Sequence, residues 1–274
     1  MLELPEVLTM AEQLNNNIKG KKIDSVLPPT KEHKFCWFNG DPVAYDTWVK
    51  KCQIVSAEGF GIFVEVGFDN GYKLCLNDGI NVRLITDVEV PKDYQLLIKL
   101  NDGTNLVFTV AMYGGIIIHD GDYDNEYYIK SRQAISPFSK EFEAYYRKVL
   151  SESKPKLSAK ALLAAEQRFP GIGNGSLQDI LFMAGIHPKR KLETLSDAEK
   201  DNLLSCVITV LWEMTQSGGR DTEKDIFGHK GGYQVKLSKN TVGKDCPKCG
   251  SQIVKETYMG GSVYYCPVCQ PLIK

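Results

Sequence analysis

The spacing of apolar residues changes along the chain and divides it into distinct stretches. Apolar side chains recur at helical intervals from Val7 to Ile18, and Gly20 follows, where a helix would stop. This pattern predicts a helix over 5–19. From residues 23 to 135 short apolar runs alternate with turn residues, an arrangement typical of an antiparallel β-sandwich or barrel.

After residue 136 the apolar spacing becomes helical again. The predicted helices cover 139–150, 158–168, 174–184 and 196–217. A loop rich in glycine and charge, 218–232, leads to a cysteine-rich C-terminal segment. We therefore expect an α+β multidomain protein with three parts. These are an N-terminal antiparallel β-sandwich with a leading helix (1–135), a helical domain (136–231) and a small cysteine-rich unit (232–274).

Composition and charge narrow the class of protein. The hydrophobic fraction of 43% is ordinary for a globular chain, and no run approaches the roughly 18 apolar residues of a membrane span. The first residues lack the basic and apolar regions of a signal peptide. The net charge of −1 hides an asymmetry, because residues 1–136 carry 13 basic and 19 acidic side chains while 137–274 carry 20 and 15. A polyanion would therefore meet mainly the C-terminal half.

Two Cys-x-x-Cys pairs near the C-terminus are separated by sixteen residues, the spacing of a four-thiolate zinc site. The predicted ligands are Cys246, Cys249, Cys266 and Cys269. Four protein ligands leave no open position on the metal, so one zinc ion would be structural. Strand-like residues between the pairs predict a β-hairpin that turns at 260–261. Two disulfides, or a redox-active pair, are the alternative.

The remaining cysteines and histidines show no metal spacing. We predict that the other cysteines are reduced, buried thiols in apolar surroundings of a cytosolic protein, namely Cys36, Cys52, Cys75 and Cys206. The histidines are predicted to be structural or solvent-facing, namely His33, His119, His187 and His229. The acidic run 120–126 lacks the twelve-residue ligand pattern of a calcium loop, and we interpret it as a solvated turn.

A glycine-rich corner over 170–175 separates two of the predicted helices. Its small residues leave backbone amides uncovered at the start of the next helix, where the helix dipole favours an anion. We predict that Gly173 and Asn174, with Lys160 one helix back, contact a phosphate. The alternative is a helix hairpin whose corner happens to be rich in glycine.

Several motifs occur along the chain in an order that resembles a known family. They are Glu3–Val7, Gly171–Asn174, Ala184–Pro188, and the four-cysteine segment ending in Cys269-Gln270. In this combination they resemble the formamidopyrimidine-DNA glycosylase and endonuclease VIII family. The resemblance covers the whole chain, is strong after residue 136 and in the first seven residues, and is loose in the β region.

The resemblance implies a fold, a partner and a reaction. It implies an N-terminal β-sandwich, a helix-two-turn-helix domain and a zinc finger, with damaged double-stranded DNA bound between the halves. Family members flip the damaged base out of the duplex. Their N-terminal amine attacks C1′ of the sugar, the base leaves, and β-elimination follows. By position, Leu2 corresponds to the nucleophile, Glu3 to the catalytic acid and Glu6 to a second acidic residue.

Four positions depart from the family pattern. Leu2 stands where the nucleophilic proline is expected, Gly61 where a lysine is expected, and Gly261 where the finger carries an arginine. The segment that fills the hole left by the flipped base lacks its arginine, and Met112 and Tyr113 are predicted to wedge between bases instead. Because Leu is bulky, we expect the initiator Met to be kept.

Three hypotheses follow. The first is a base-excision DNA glycosylase and abasic-site lyase that excises an oxidised base. The second is a catalytically inactive relative that binds damaged DNA as a lesion sensor. The third is a zinc-dependent RNA or protein interaction module on the same scaffold. In each case we expect a monomer with no membrane partner, located in the cytoplasm with the nucleoid.

Overall fold

The computed structural model describes residues 1–273 and contains both classes of secondary structure that the spacing predicts. The helices are α1 (Leu4–Ile18), α2 (Tyr45–Val49), α3 (Glu126–Arg132), α4 (Phe142–Glu152), α5 (Ala159–Ala164), α6 (Ser176–Ala184) and α7 (Asp197–Gln216). The strands are β1 (Ile23–Leu27), β2 (Cys36–Trp37), β3 (Ile54–Phe60), β4 (Phe63–Phe68), β5 (Lys73–Asn77), β6 (Ile80–Thr86), β7 (Leu96–Leu100), β8 (Thr104–Val110), β9 (Gly114–His119), β10 (Val254–Tyr258) and β11 (Gly261–Tyr265).

Nine of these strands form a sandwich of two sheets. One sheet has the order β1-β7-β8-β6 and the other the order β2-β9-β5-β4-β3. Alternate residues of each strand point inward, so that Ile116 and Ile118 of β9 join the core between the sheets while Ile117 packs on the opposite face. The α+β sandwich prediction is confirmed. One pairing differs, because the two-residue strand β2 runs parallel to β9.

The leading helix α1 connects the sandwich to the helical domain. Val7, Met10 and Leu14 pack in the core of the sandwich, whereas Leu4 belongs to the core built by α4 to α7. The loop after α7 also packs against the sandwich, because Ile226 is buried in the sandwich core. Burying apolar surface on both sides fixes the first residues of the chain between the two parts.

The glycine-rich corner begins earlier than predicted. Helix α5 ends at Ala164 instead of continuing to 168, because Ala165 is extended and Glu166 and Gln167 have positive φ angles of 58° and 52°. L-residues rarely adopt these values and cannot continue a right-handed helix through them. The chain then turns through 165–175 before α6 starts at Ser176.

The C-terminal hairpin lies against α6. Strands β10 and β11 pair in antiparallel register from Val254 with Tyr265 to Tyr258 with Gly261. The side-chain amide of Gln178 in α6 makes two hydrogen bonds to the backbone of β11. Its oxygen accepts from the Tyr264 amide at 3.0 Å, and its nitrogen donates to the Ser262 carbonyl at 3.1 Å. Among the described residues, no helix is long and apolar enough to cross a bilayer.

Candidate functional site

The carboxylate of Glu3 lies at the N-terminus of α6. It accepts hydrogen bonds from the backbone amides of Gly173 at 3.1 Å, Gly175 at 2.8 Å and Ser176 at 2.8 Å. The Ser176 hydroxyl and the Arg220 guanidinium also donate to it. An anion at this place satisfies helix amides that have no partner within the helix. The Glu3 carboxylate is therefore the anion that the glycine-rich corner binds in this structure.

The same contacts determine the ionisation of Glu3. Burial raises the pKa of its carboxyl, but the charge of Arg220 and the hydrogen bonds from Ser176 and Gly175 outweigh burial and hold the pKa below its ordinary value. Glu3 is therefore a carboxylate near neutral pH, with both oxygens occupied. Protonating a sugar oxygen would require it to give up several of these donors.

Arg220 joins both N-terminal glutamates to the loop after α7. Its guanidinium contacts Glu6 through Nε at 2.9 Å and Nη2 at 2.7 Å, and contacts Glu3 through Nη1 at 3.2 Å. It also donates to the carbonyl of Met1 at 3.1 Å. All three charged side chains are buried, and the pKa of Arg220 is raised because the two carboxylates outweigh its burial. Such a triad keeps its charges only while every partner is present.

The glycines of the corner make room for this triad. A Cβ on Gly173 would lie 2.6 Å from the Glu3 carboxyl carbon, and a Cβ on Gly175 would lie 1.6 Å from Arg220 Nη1. We predicted that these small residues let a phosphate approach. In this structure the space at Gly173 is filled by Glu3, because a protein carboxylate supplies the negative charge. Contact between Gly173 and DNA stays a prediction.

Lys160 and Asn174 are directed to the C-terminal hairpin. Lys160 Nζ donates to the Tyr258 carbonyl at 2.7 Å, and Asn174 Nδ2 donates to the Ser262 carbonyl at 3.0 Å. Both residues lie beside Gly261, where a Cβ would be 3.4 Å from Lys160 Nζ. Burial lowers the pKa of Lys160. The two side chains therefore hold the turn of the hairpin, while their contact with phosphate stays a prediction.

The first residues lie against the turn between β5 and β6. The Leu2 amide donates to the Asp78 carbonyl at 2.7 Å, and the Leu2 side chain is buried in the sandwich core. The terminal amine of Met1 is ion-paired with Glu223 at 2.5 Å. In the chain as it stands, the nitrogen of Leu2 is a bound amide and the free amine belongs to Met1.

A cavity of about 470 Å³ opens beside this turn. Among the described residues that line the cavity, Asp78 carries a charge, and most of the others are aromatic or carry a side-chain amide. The aromatic and amide residues are Trp37, Tyr113, Tyr123, Tyr127, Asn77, Asn125 and Gln167. Tyr113 is tied to the turn because its carbonyl accepts from the Gly79 amide at 2.9 Å, and its ring packs 6.2 Å from that of Trp37.

Of the two predicted wedge residues, Met112 is the exposed one. Its side chain is 65% accessible, whereas Tyr113 is partly buried against Trp37 and lines the cavity. The turn therefore presents one flexible apolar side chain to solvent, and insertion of Met112 between bases stays a prediction.

The packing around Gly61 leaves no room for a side chain. Gly61 has a φ of +53°, and a Cβ would lie 2.6 Å from both side-chain atoms of Ser131 and 3.0 Å from Pro170 Cβ. Its carbonyl also lies close to Gly171. A side chain at this position would push the sandwich and the glycine-rich corner apart. That Gly61 takes the place of the family's lysine stays a prediction.

The four C-terminal cysteines converge as predicted. Cys246 Sγ and Cys269 Sγ are 3.8 Å apart, and Cys249 Sγ and Cys266 Sγ are 3.5 Å apart. These separations are far too long for a disulfide and match the edge of about 3.8 Å expected between two thiolates on one tetrahedral ion. The four sulfurs therefore fit one metal ion, and the disulfide alternative does not hold.

A second cluster lies on the outer face of the five-stranded sheet, against α3, and here the surroundings of Cys75 are more polar than we predicted, although Phe63 and Ile117 also pack there. The thiol of Cys75 donates to Glu65 at 3.3 Å and lies 3.3 Å from Nε2 of His119. Glu65 is also bound by Tyr128, Lys73 and Arg132. Hydrogen bonds and two cations already satisfy this carboxylate, so the cluster is a closed structural network. The cysteines at 36, 52 and 206 are only partly buried.

Comparisons with known proteins agree with this geometry. The formamidopyrimidine-DNA glycosylase of Prochlorococcus marinus is 31% identical over 301 residues, covering 98% of this chain and 100% of that protein. The protein of the same name from Rickettsia bellii is 27% identical over 284 residues, covering 98% and 99%. No family model matches the chain. The chain belongs to the formamidopyrimidine-DNA glycosylase family.

Solved structures give the same fold. The Lactococcus lactis Fpg in complex with DNA that contains an abasic site superposes with a TM-score of 0.82, at 22% identity, over 98% of this chain and 99% of that one. The MutM (Fpg) protein of Thermus thermophilus superposes with a TM-score of 0.80 at 22% identity, over 99% and 100%.

Sequence reasoning missed two residues of this site. Arg220 lies in the charged loop after α7 and pairs with Glu3 and Glu6. The two acidic residues near the start of the sequence could have indicated that a buried cation was needed to balance them. Asp78 follows Asn77 and precedes Gly79, a typical turn sequence, and nothing in that pattern indicated that the turn would meet the first residues of the chain.

Proposed function

We propose that this protein is a base-excision DNA glycosylase with abasic-site lyase activity, acting on damaged duplex DNA. The observation that carries the proposal is the placement of the chain terminus. In a chain related along its whole length to formamidopyrimidine-DNA glycosylases, the first residues are fixed against the turn of Asp78, and Asp78 lines a cavity of about 470 Å³. A fixed amine near a pocket is what attack on a sugar carbon requires.

The first three residues are each bound to the body of the protein, which fixes the position of the terminal amine. Arg220 holds the Met1 carbonyl, Asp78 holds the Leu2 amide, and Glu3 is bound to the start of α6. An amine on a flexible tail would lose most of the advantage of positioning. Glu3 and Glu6 thus serve the reaction by placing the terminus, and Glu3 in addition keeps a negative charge near the reacting sugar. If the Met were removed, the Leu2 nitrogen would become the amine and would already face the Asp78 carbonyl.

Duplex binding would use the helical domain and the hairpin. Lys160 and Asn174 fix the turn at Gly261, so we propose that backbone amides and lysines around this turn contact phosphates. Phosphate contacts release counterions, so affinity should fall steeply as salt is raised. Lys160→Met should weaken binding to all sequences about equally, because it removes a charge and loosens the hairpin.

The metal held by the four cysteines is proposed to be one zinc ion. A set of four thiolates with tetrahedral spacing is typical of structural zinc. Cys246, Cys249, Cys266 and Cys269 would hold it, and it would supply folding energy to the hairpin and no chemistry to the reaction. We also propose that the protein acts as a monomer in the cytoplasm with the nucleoid, where duplex DNA is its substrate.

A lesion sensor without catalysis is the second candidate, and two observations favour it. The terminal amine is occupied by an ion pair with Glu223, which would have to open before the amine could attack a sugar. The lysine position is occupied by Gly61, which has no room for a side chain. A sensor would need the DNA-binding surfaces and the wedge at Met112 but no reactive amine.

A cleavage assay separates the two candidates. The full-length protein is incubated with an end-labelled duplex that carries one 8-oxoguanine, and with the same duplex undamaged. Strand cleavage at the lesion supports the enzyme. Selective binding of the damaged duplex without cleavage supports the sensor. Failure to bind either duplex at low salt would contradict both.

A further inference from the structure

Asp78 is the carboxyl group of the site that has no partner among the described residues. Glu3 and Glu6 are saturated by Arg220 and the start of α6, and Glu223 pairs with the terminal amine. The side chain of Asp78 makes no hydrogen bond or ion pair with residues 1–273, and it lines the aromatic cavity. It is therefore free to exchange a proton.

The backbone around Asp78 is fixed by contacts on two sides. Asp78 has a φ of +52°, in the left-handed region that Asn and Asp adopt more readily than other L-residues. The Leu2 amide donates to the Asp78 carbonyl, and the Gly79 amide donates to the Tyr113 carbonyl. A Cβ on Gly79 would lie 2.7 Å from the Tyr113 carbonyl oxygen. These contacts hold the turn, and with it Asp78, between the first residues and Tyr113.

The groups around the first residues can be named. Glu223 pairs with the terminal amine from the loop after α7, and Arg220 binds the carbonyl of Met1. The Asp78 carbonyl binds the next amide, that of Leu2, at 2.7 Å, and Asp78 lines the cavity. Burial raises the pKa of the Asp78 carboxyl, and the charge of the terminal ammonium opposes this rise. Asp78 thus connects the first residues of the chain to the wall of the cavity.

We infer that Asp78, and not Glu3, is the group that exchanges protons with the terminal amine when the protein acts on an opened abasic sugar in this cavity. The inference rests on the proposed lyase function. Within residues 1–273 the cavity wall carries no lysine or arginine and carries the carboxyl of Asp78, so it suits an uncharged sugar or base rather than a phosphate.

The proposed step balances without an added reagent. The Asp78 carboxylate accepts one proton from the Met1 ammonium, and the amine lone pair forms a C–N bond to the aldehyde carbon of the sugar. The electron pair of the C=O bond moves to oxygen, which takes the proton from Asp78. Asp78 then accepts a second proton from nitrogen and returns it to the hydroxyl, which leaves as water while the C=N bond forms. Asp78 ends as a carboxylate.

Trapping with borohydride tests this inference. The full-length protein is incubated with a duplex containing one abasic site, and the covalent complex is quantified over a range of pH. We expect Asp78→Asn to slow trapping by about 100-fold, the scale of one general acid–base group, and to flatten the pH profile. Asp24→Asn removes a carboxylate from an exposed surface pair of β1 and should change nothing.

A second readout does not depend on DNA. The carboxyl of Asp78 is followed by NMR in protein labelled with isotope-enriched aspartate, with and without acetylation of the terminal amine. Acetylation should raise the pKa of Asp78, because it removes the ammonium charge that opposes the rise caused by burial. Equal trapping by Asp78→Asn and the unmodified protein would overturn the inference and leave the lyase intact. No trapping by the unmodified protein would overturn the lyase itself, and an Asp78 pKa that acetylation leaves unchanged would show that Asp78 does not face the amine.

Discussion

Two parts of the molecule can be compared: the helical domain with its cysteine hairpin, and the β-sandwich. They differ in which residues stand at the positions that the family resemblance assigns to function. In the helical part, Lys160 and Asn174 bind the turn of the hairpin and the four cysteines converge within the C-terminal unit, at positions that the family resemblance predicts. In the sandwich, Gly61 and the Met112 turn stand where that resemblance predicts a lysine and an arginine. We therefore expect the DNA-binding part to follow the family more closely than the part that treats the lesion.

The packing explains this difference. The hairpin is held by four converging cysteines and by side chains that bind its backbone, so a change there would loosen it. The β-sandwich has a separate apolar core, and residues at its rim can change without loss of that core. Gly61 is constrained, because it packs directly against the glycine-rich corner. The rim of the sandwich is therefore where we expect the chemistry of this protein to differ from that of its relatives.

The largest effect is expected at the metal site. Cys249→Ser should release the bound zinc and melt the hairpin over 245–270, because the free energy of zinc binding is about 10–16 kcal/mol in small finger peptides. The β-sandwich should stay folded. Metal analysis and thermal unfolding check this, with Cys206→Ser, outside the cluster, as the matched control. Retention of one zinc per chain by Cys249→Ser would contradict the assignment of this ligand.

Next is the buried triad that joins the two halves. Arg220→Met should lower the free energy of unfolding by about 3–5 kcal/mol, because Glu3 and Glu6 would be left buried without a countercharge. Denaturant unfolding measures this, and Arg147→Met is the control because Arg147 makes exposed ion pairs. Equal stability of the two variants would mean that the triad contributes nothing to the junction.

A smaller, pH-dependent effect should come from Glu3 alone. Its pKa in the folded protein is below the ordinary 4.5, so its contribution to stability is present above that value and is lost as pH falls through the folded pKa. Unfolding measured between neutral pH and about pH 2 should show this loss, and Glu3→Gln should remove that part of the acid dependence. Glu3→Gln should also reduce base excision, since the terminus would be less firmly placed.

The smallest effect concerns the base opposite the lesion. Met112 has no donors, so binding to the four opposing bases should differ by less than about 1 kcal/mol, below the 1–3 kcal/mol of one good bidentate contact. Competition binding with four matched duplexes measures the difference. Met112→Arg supplies a guanidinium at the same exposed position and should increase the preference. A strong preference in the unmodified protein would place the reading group elsewhere.

The sequence was informative where a local pattern dictates structure. The spacing of the cysteines predicted the hairpin and its four ligands, and the apolar period predicted α1 to within one residue at each end. It was misleading where distant segments meet. The amides of the glycine-rich corner looked free for a phosphate, yet Glu3 occupies them from about 170 residues away in the chain. Neither Arg220 nor Asp78 stands in a pattern that specifies its partner, since both partners come from the chain terminus.

The central claim is that the terminal amine beside Asp78 performs the chemistry. The most direct test is to reduce the complex between the full-length protein and an abasic duplex with borohydride, digest it, and map the modified peptide by mass spectrometry. We expect the sugar to be attached to the nitrogen of the first residue, and we expect acetylation of this amine beforehand to abolish the product. Attachment to a lysine side chain, or a product that survives acetylation, would contradict it.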